Sequence, residues 1–138
     1  MKNSVAIHKV LSNILLEKKG TLPLDFGSWM KYHEFQSKTV SLILHCLTGQ
    51  PPTVPVDRHV FHFFQATNLS NAKNTEELAY QLHYFIDEED YIKVNDNIGC
   101  LAQLAVDPEG RSLILKELEK QHAAMKDIIQ PWLLSFAK

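Results

Sequence analysis

SKTVSLILHCLTGQPPTVPVDRHVFHFFQA, residues 37 to 66, is the stretch whose reading decides the fold. Its opening part, SKTVSLILHCL, reads as a buried helix closed by Thr48-Gly49. Pro51, Pro52 and Pro55 then fix φ and remove backbone donors, so the chain approaches Asp57 stiff and extended. A flexible tether would use Gly and Ser; this run is rigid and half apolar. Asp57 opens a second helix with Val60, Phe61 and Phe64 on its apolar side. Two helices joined by a stiff proline loop predict an all-α architecture and raise a question: why one carboxylate is delivered so firmly to a helix start.

The helical pattern continues on both sides. Upstream, Val5, Ile7, Val10, Leu11, Ile14 and Leu15 recur at helical spacing, and the run ends at Lys18, Lys19 and Gly20, with cations in the last turn and Gly just beyond. TLPLD is a short turn, and Asp25 can cap a brief helix carrying Phe26, Trp29 and Met30. Downstream, NLSNAKN is a loop, and Asn74 or Thr75 caps a helix through Leu78, Leu82, Tyr84 and Phe85, with Glu76 and Glu77 in its first turn. DEEDY is expected to start another helix holding Ile92, Val94, Ile98, Leu101 and Leu104. Asp107-Pro108 starts the next, and a final turn or two ends at Ile128, Trp132 and Leu133. No alternating β-type segment, repeat or low-complexity tract interrupts this pattern, so a compact all-helical domain over residues 1 to 138 is the expectation.

At 138 residues the chain can bury a substantial core, and 45% apolar with 22% charged residues is ordinary for a globular protein. No run of about 18 apolar residues is present, and the N-terminus lacks the apolar core and cleavage site of a signal peptide. Cys46 and Cys100 lie far apart and suggest neither a disulfide framework nor a clustered metal site, which favours a reducing, cytoplasmic setting. A net charge of −2 argues against wholesale electrostatic capture of nucleic acid. The charge is uneven, however: residues 1 to 66 carry seven Lys/Arg and four Asp/Glu, and residues 67 to 138 carry seven and twelve.

Two places then stand out. YHEFQSKTVSLIL turns a short helix tightly into a longer one with Lys38 in its first turn, and VPVDRH follows nineteen residues after that lysine. Together they resemble the helix–hairpin–helix DNA glycosylase superfamily, the endonuclease III and 8-oxoguanine glycosylase group. LLEKKGTLPLDFGSWMKYHEFQSKTV is similar to the family's helix, Pro-containing turn, short helix, hairpin and second helix. PTVPVDRHVF is similar to its proline loop and aspartate, and NAKNTEELAYQL with YIKVNDNIGCLAQLAVD to its next two helices. The likeness runs over roughly residues 10 to 106, and VPVDRH is its most specific part.

The resemblance implies a DNA glycosylase or abasic-site lyase of base excision repair, acting on double-stranded DNA with a damaged base or an abasic site. It puts Lys38 where bifunctional members hold the amine that attacks the sugar C1′ and forms a Schiff base. That chemistry needs an amine that is neutral when it attacks. It puts Asp57 where the family keeps a carboxylate that stabilises positive charge developing on the sugar and assists proton transfer. Gln36, Ser37, Thr39, Arg58 and His59 flank the pair and are the implied DNA contacts. Each residue also has a plainer reading. Asp57 is an N-cap whatever else it does, and a lysine in a helix's first turn commonly stands in solvent.

Departures from the family pattern bear on the expectation. The family hairpin is glycine-rich because it needs positive φ and close approach of backbone N–H groups to a phosphate. Here Glu34 and Gln36 occupy it, with His33 where a proline is common, and Glu34 would set a negative side chain beside that phosphate. The four-cysteine iron–sulfur cluster has no counterpart, PEGRSLILKELEKQ standing in its place as a plain helix, so no cofactor is expected. Relatives have further helices ahead of the point matching residue 10, which supply part of the base pocket. The expectation is therefore a truncated or reduced enzyme, or alternatively a non-catalytic interaction module that forms a homodimer or covers its missing wall with a protein partner.

Weaker features are read conservatively. His59 and His62 sit three apart on one helix, as a metal pair could, but no third or fourth ligand lies nearby in sequence, so no metal is expected. Phe61, Phe63 and Phe64 could stack on bases, although a packing role fits a helix better. EELAYQLHYFIDEEDY is an acidic face for solvent or a partner. Trp29 and Trp132 are expected in the core.

Overall fold

The computed structural model describes residues 2–138, and every regular element among them is helical. In chain order these are α1 (Lys2–Glu17), α2 (Phe26–Met30), α3 (Ser37–Thr48), α4 (Arg58–Ala66) and α5 (Thr75–Phe85). A 3₁₀ turn (Glu88–Asp90) leads into α6 (Tyr91–Ala105), followed by α7 (Pro108–Gln121) and α8 (Ala123–Ser135). None of the described helices is long and apolar enough to cross a membrane.

Short polar side chains start these helices by accepting amide protons that have no partner one turn back. Asp25 accepts from Ser28 N–H at 2.8 Å, Asn74 from Glu77 N–H at 2.8 Å, and Asp107 from Glu109 N–H at 3.4 Å, with Pro108 in the first helical position. At the far end of α3, Gly49 takes φ +83° and returns its N–H to His45 O at 2.8 Å, a left-handed closure that a side chain would strain.

Among the described residues, packing divides into three apolar clusters. Ile14, Trp29, Phe35, Val40 and Leu44 bind α1, α2 and α3 together. Val54, Val56, Val60, Leu78, Leu82, Tyr91 and Ile98 join the proline loop to α4, α5 and α6. Ala102, Ala105, Ile114, Ile129, Trp132 and Leu133 close α6, α7 and α8. Phe63 touches both of the last two, its ring edge-on to Phe64 at 5.4 Å and to Trp132 at 5.0 Å. The three phenylalanines of α4 are thus half-buried packing residues. Trp29 and Trp132 are fully buried. Helices α6 and α7 meet closely at Gly110, where an added Cβ would lie 1.9 Å from Leu104 O.

Two boundaries differ from the sequence reading. DEEDY makes a 3₁₀ turn before α6 begins at Tyr91. The closing segment is a thirteen-residue helix rather than a turn or two, with Pro131 inside it. An internal proline costs a helix about 3 kcal/mol. Burial of Ile129, Trp132 and Leu133 offsets that cost.

Candidate functional site

Everything about the stretch from Pro51 to Asp57 is built to hold position. Pro51, Val54 and Pro55 are fully buried. Thr53 Oγ1 lies 2.8 Å from Ser41 Oγ on α3, and Pro55 O accepts from Asn95 Nδ2 on α6 at 2.7 Å. The loop is therefore pinned from both sides before it delivers Asp57 as the N-cap of α4.

Asp57 divides its work between two oxygens. Oδ1 accepts from His59 N–H and Val60 N–H, each at 3.0 Å, and so starts the helix. Oδ2 faces the other way and lies 3.1 Å from Lys38 Nζ. Burial pushes this carboxyl's pKa up, but the Val60 N–H bond, the Lys38 bond and charge, and the His59 N–H bond together outweigh it. The carboxyl is held below its ordinary value.

Lys38, in the first turn of α3, reaches this carboxylate from across a cleft. It also lines an apolar groove shared with Leu11, Leu22, Thr39 and Leu42. Its amine enters an open cleft of about 770 Å³ lined by Gln36, Val56, Asp57, Arg58, His59, Phe61, Thr75 and Glu76. The lysine side chain is 36% exposed and the aspartate 20%, so the pair is accessible without being free in solvent. An amine and a carboxylate in one open cleft can exchange a proton, and can act together on an electrophilic carbon lodged between them.

The flanking residues separate into groups. Gln36, Arg58 and His59 line the cleft with the pair, whereas Thr39 lies on the adjoining groove. Ser37 is buried, and its N–H donates to Glu76 Oε1 at 3.3 Å. His62 turns from the cleft to Ser135 Oγ at 3.1 Å and packs its ring on Phe136, so it stands apart from His59. Among the described residues, the acids close enough to share a metal ion are Asp87, Glu89 and Asp90, none of which lines the cleft.

The turn between α2 and α3 has no glycine and needs none. No residue from 31 to 36 takes a positive φ. Phe35 instead plunges into the first cluster, edge-on to Trp29 at 5.5 Å and to Tyr32 at 6.3 Å, while its N–H donates to Tyr32 O at 3.1 Å. The turn is thus fixed by an aromatic anchor. Glu34 points its carboxylate at the His33 ring, 3.3 Å from Nε2.

Glu76 is a charged cleft residue that sequence reasoning did not place, nor did it place the neutral Val56 and Thr75 there. Glu76 reads only as a first-turn acid of α5, and its approach to Ser37 joins positions 39 apart in the chain. No local pattern announces such a contact.

No family model matches the chain, and no solved structure matches it. It is similar to Endonuclease III of Rickettsia felis, 31% identical over 88 residues, which are 64% of this chain and 39% of that one. It is similar too to Endonuclease III of Rickettsia conorii, 31% identical over 86 residues, 62% of this chain and 39% of that one. The chain thus spans about 39% of the length of the curated relatives it matches. This likeness supports a relationship to the helix–hairpin–helix glycosylases.

Proposed function

We propose that the cleft is the reaction site of a reduced DNA glycosylase or abasic-site lyase, with Lys38 as nucleophile and Asp57 as its partner carboxylate. The observation that carries this reading is the 3.1 Å approach of the two groups in an open cleft. Likeness to two proteins named Endonuclease III supplies the choice of DNA as substrate.

In this scheme Asp57 Oδ2 accepts a proton from Lys38, and the amine lone pair attacks C1′ of the sugar. The bond from C1′ to the base breaks, the base leaving with the electron pair and taking from Asp57 the proton it had accepted, which restores the carboxylate. At a sugar that has already lost its base, the amine adds to the C1′ aldehyde and water leaves. On the first route the C1′–O4′ bond then opens, O4′ taking up one of the amine protons. Either route ends in a protonated Schiff base on Lys38, whose positive charge the Asp57 carboxylate stabilises. Loss of a 2′ proton then breaks the 3′ C–O bond and releases the strand with its phosphate, and water hydrolyses the imine to restore the lysine. Gln36, Arg58 and His59 are the residues placed to hold the strand at the cleft, with Thr39 beside them. Ser37 is buried, and its amide would be offered to DNA only if Glu76 released it.

Borohydride reduction tests this directly, because it converts a Schiff base into a stable amine. The wild-type protein should become covalently joined to a duplex carrying an abasic site, and Lys38→Ala should not. Absence of trapping by wild type, or equal trapping by Lys38→Ala, overturns the proposal.

A second reading keeps the fold and drops the chemistry: an interaction module that binds a second copy or another protein. Leu16 and Phe85, respectively 80% and 82% exposed, favour it, since such apolar surface is commonly covered by a partner. It predicts no trapping and a concentration-dependent increase in mass by light scattering.

A further inference from the structure

The cleft that holds Lys38 and Asp57 carries two cations and two anions. Lys38 is already matched by Asp57 at 3.1 Å. Arg58 is left to attract a strand, and Glu76 stands in the same lining with the opposite sign. The lysine, arginine, aspartate and glutamate of the walls sum to no charge. A polyanion entering such a cleft gains little from its field.

Glu76, an exposed residue, is also tethered by one hydrogen bond. Its Oε1 accepts from the buried Ser37 N–H at 3.3 Å, which draws the carboxylate over the start of α3 beside Lys38. It borders a second, smaller hollow of about 170 Å³ shared with Phe26, Thr53 and Tyr80. A strand leaving the cleft on that side must pass this carboxylate.

We infer that Glu76 is a specificity-determining residue, which repels a phosphate on its side of the cleft and keeps the protein's grip on continuous DNA weak. This rests on the DNA reading proposed above. Arg58 then provides the attraction within the same cleft, and selection among sites falls to the sugar that reaches Lys38.

The experiment measures affinity, by fluorescence anisotropy, for an undamaged duplex and for one holding a tetrahydrofuran abasic analogue, which binds without reacting. Glu76→Gln keeps the shape and removes the charge. It should tighten binding about threefold or more at low salt, with the gain shrinking as ionic strength passes about 0.1 M. Glu109→Gln removes the same charge from the start of α7, outside the cleft lining, and should leave affinity within about twofold of wild type. Unchanged or weaker binding by Glu76→Gln, in a protein whose wild type still traps on abasic DNA, overturns this inference alone. An equal gain in Glu109→Gln overturns it too, by showing net charge and not position at work. If no form binds and wild type does not trap, the inference and the DNA reading fall together.

Discussion

Lys38 belongs to the region packed around Trp29, where α1, α2 and α3 share one cluster, whereas Asp57 borders the cluster built on Val54, Val56 and Val60. The two regions hold their functional groups in unlike ways. Asp57 is positioned by backbone: a buried proline loop, two amide bonds to one oxygen, and a helix that begins at the next residue. Lys38 is positioned by reach, a flexible side chain crossing from a neighbouring helix to a partner 3.1 Å away. Chemistry that asks for one fixed charge and one movable nucleophile can be divided between regions in this manner. The loop contacts from Thr53 to Ser41 and from Pro55 to Asn95 keep the division from becoming a separation.

The comparison is broken most severely from the lysine side. Trp29→Ala should cost about 3–5 kcal/mol in urea unfolding, because it removes a fully buried ring from a small cluster. Trapping on abasic DNA should disappear with it. Gly110→Ala strikes the other end of the molecule, where its Cβ would meet Leu104 O at 1.9 Å and force α7 away from α6. Its cost should be about 1–3 kcal/mol, with trapping retained wherever the protein stays folded. Equal loss of trapping in both variants at temperatures where both are folded would show that the regions do not act separately.

Asp57 permits a finer cut. Asp57→Ala removes the cap and should cost about 0.5–2 kcal/mol, while Asp57→Asn keeps an oxygen for His59 N–H and Val60 N–H and should lose less. Both should trap more slowly than wild type. A pH series sharpens the point. The folded-state pKa of Asp57 is depressed, so its ionised form favours folding. That contribution is fully present above the unfolded value of about 3.9 and is lost as pH falls through the folded value. The melting-temperature advantage of wild type over Asp57→Asn should therefore shrink between about pH 5 and pH 2. An advantage that grows on acidification would contradict the bonding described. The smallest effect belongs to Lys38→Met, within about 1 kcal/mol, because a partly exposed ion pair contributes little to stability. A much larger loss would mean that the lysine holds the two regions together.

Those contrasts follow the line between what could and could not be read from sequence. Asp25, Asn74 and Asp107 announce their helices because capping is settled within four residues, and Gly49 marks the end of α3 for the same reason. Asp57 was legible as a cap by that logic. Its approach to Lys38 was suggested by family resemblance, since nothing local predicts a contact nineteen residues apart. Helix α8 ran past Pro131 because burial outweighed a local rule. The glycine-free turn after α2 looked deficient because Phe35 does its work through a ring that only the packed cluster reveals. Glu76 was hidden for the plainest reason: its partner lies on another helix.

One consequence of the shared labour within Asp57 concerns descent. An aspartate whose first oxygen anchors the polypeptide is preserved by the needs of folding, even in a lineage that has abandoned catalysis. Lys38 anchors no backbone and, on the reading proposed above, can drift once reactivity is no longer required of it. Among descendants of this chain, the amine will be the more truthful witness to a surviving enzyme.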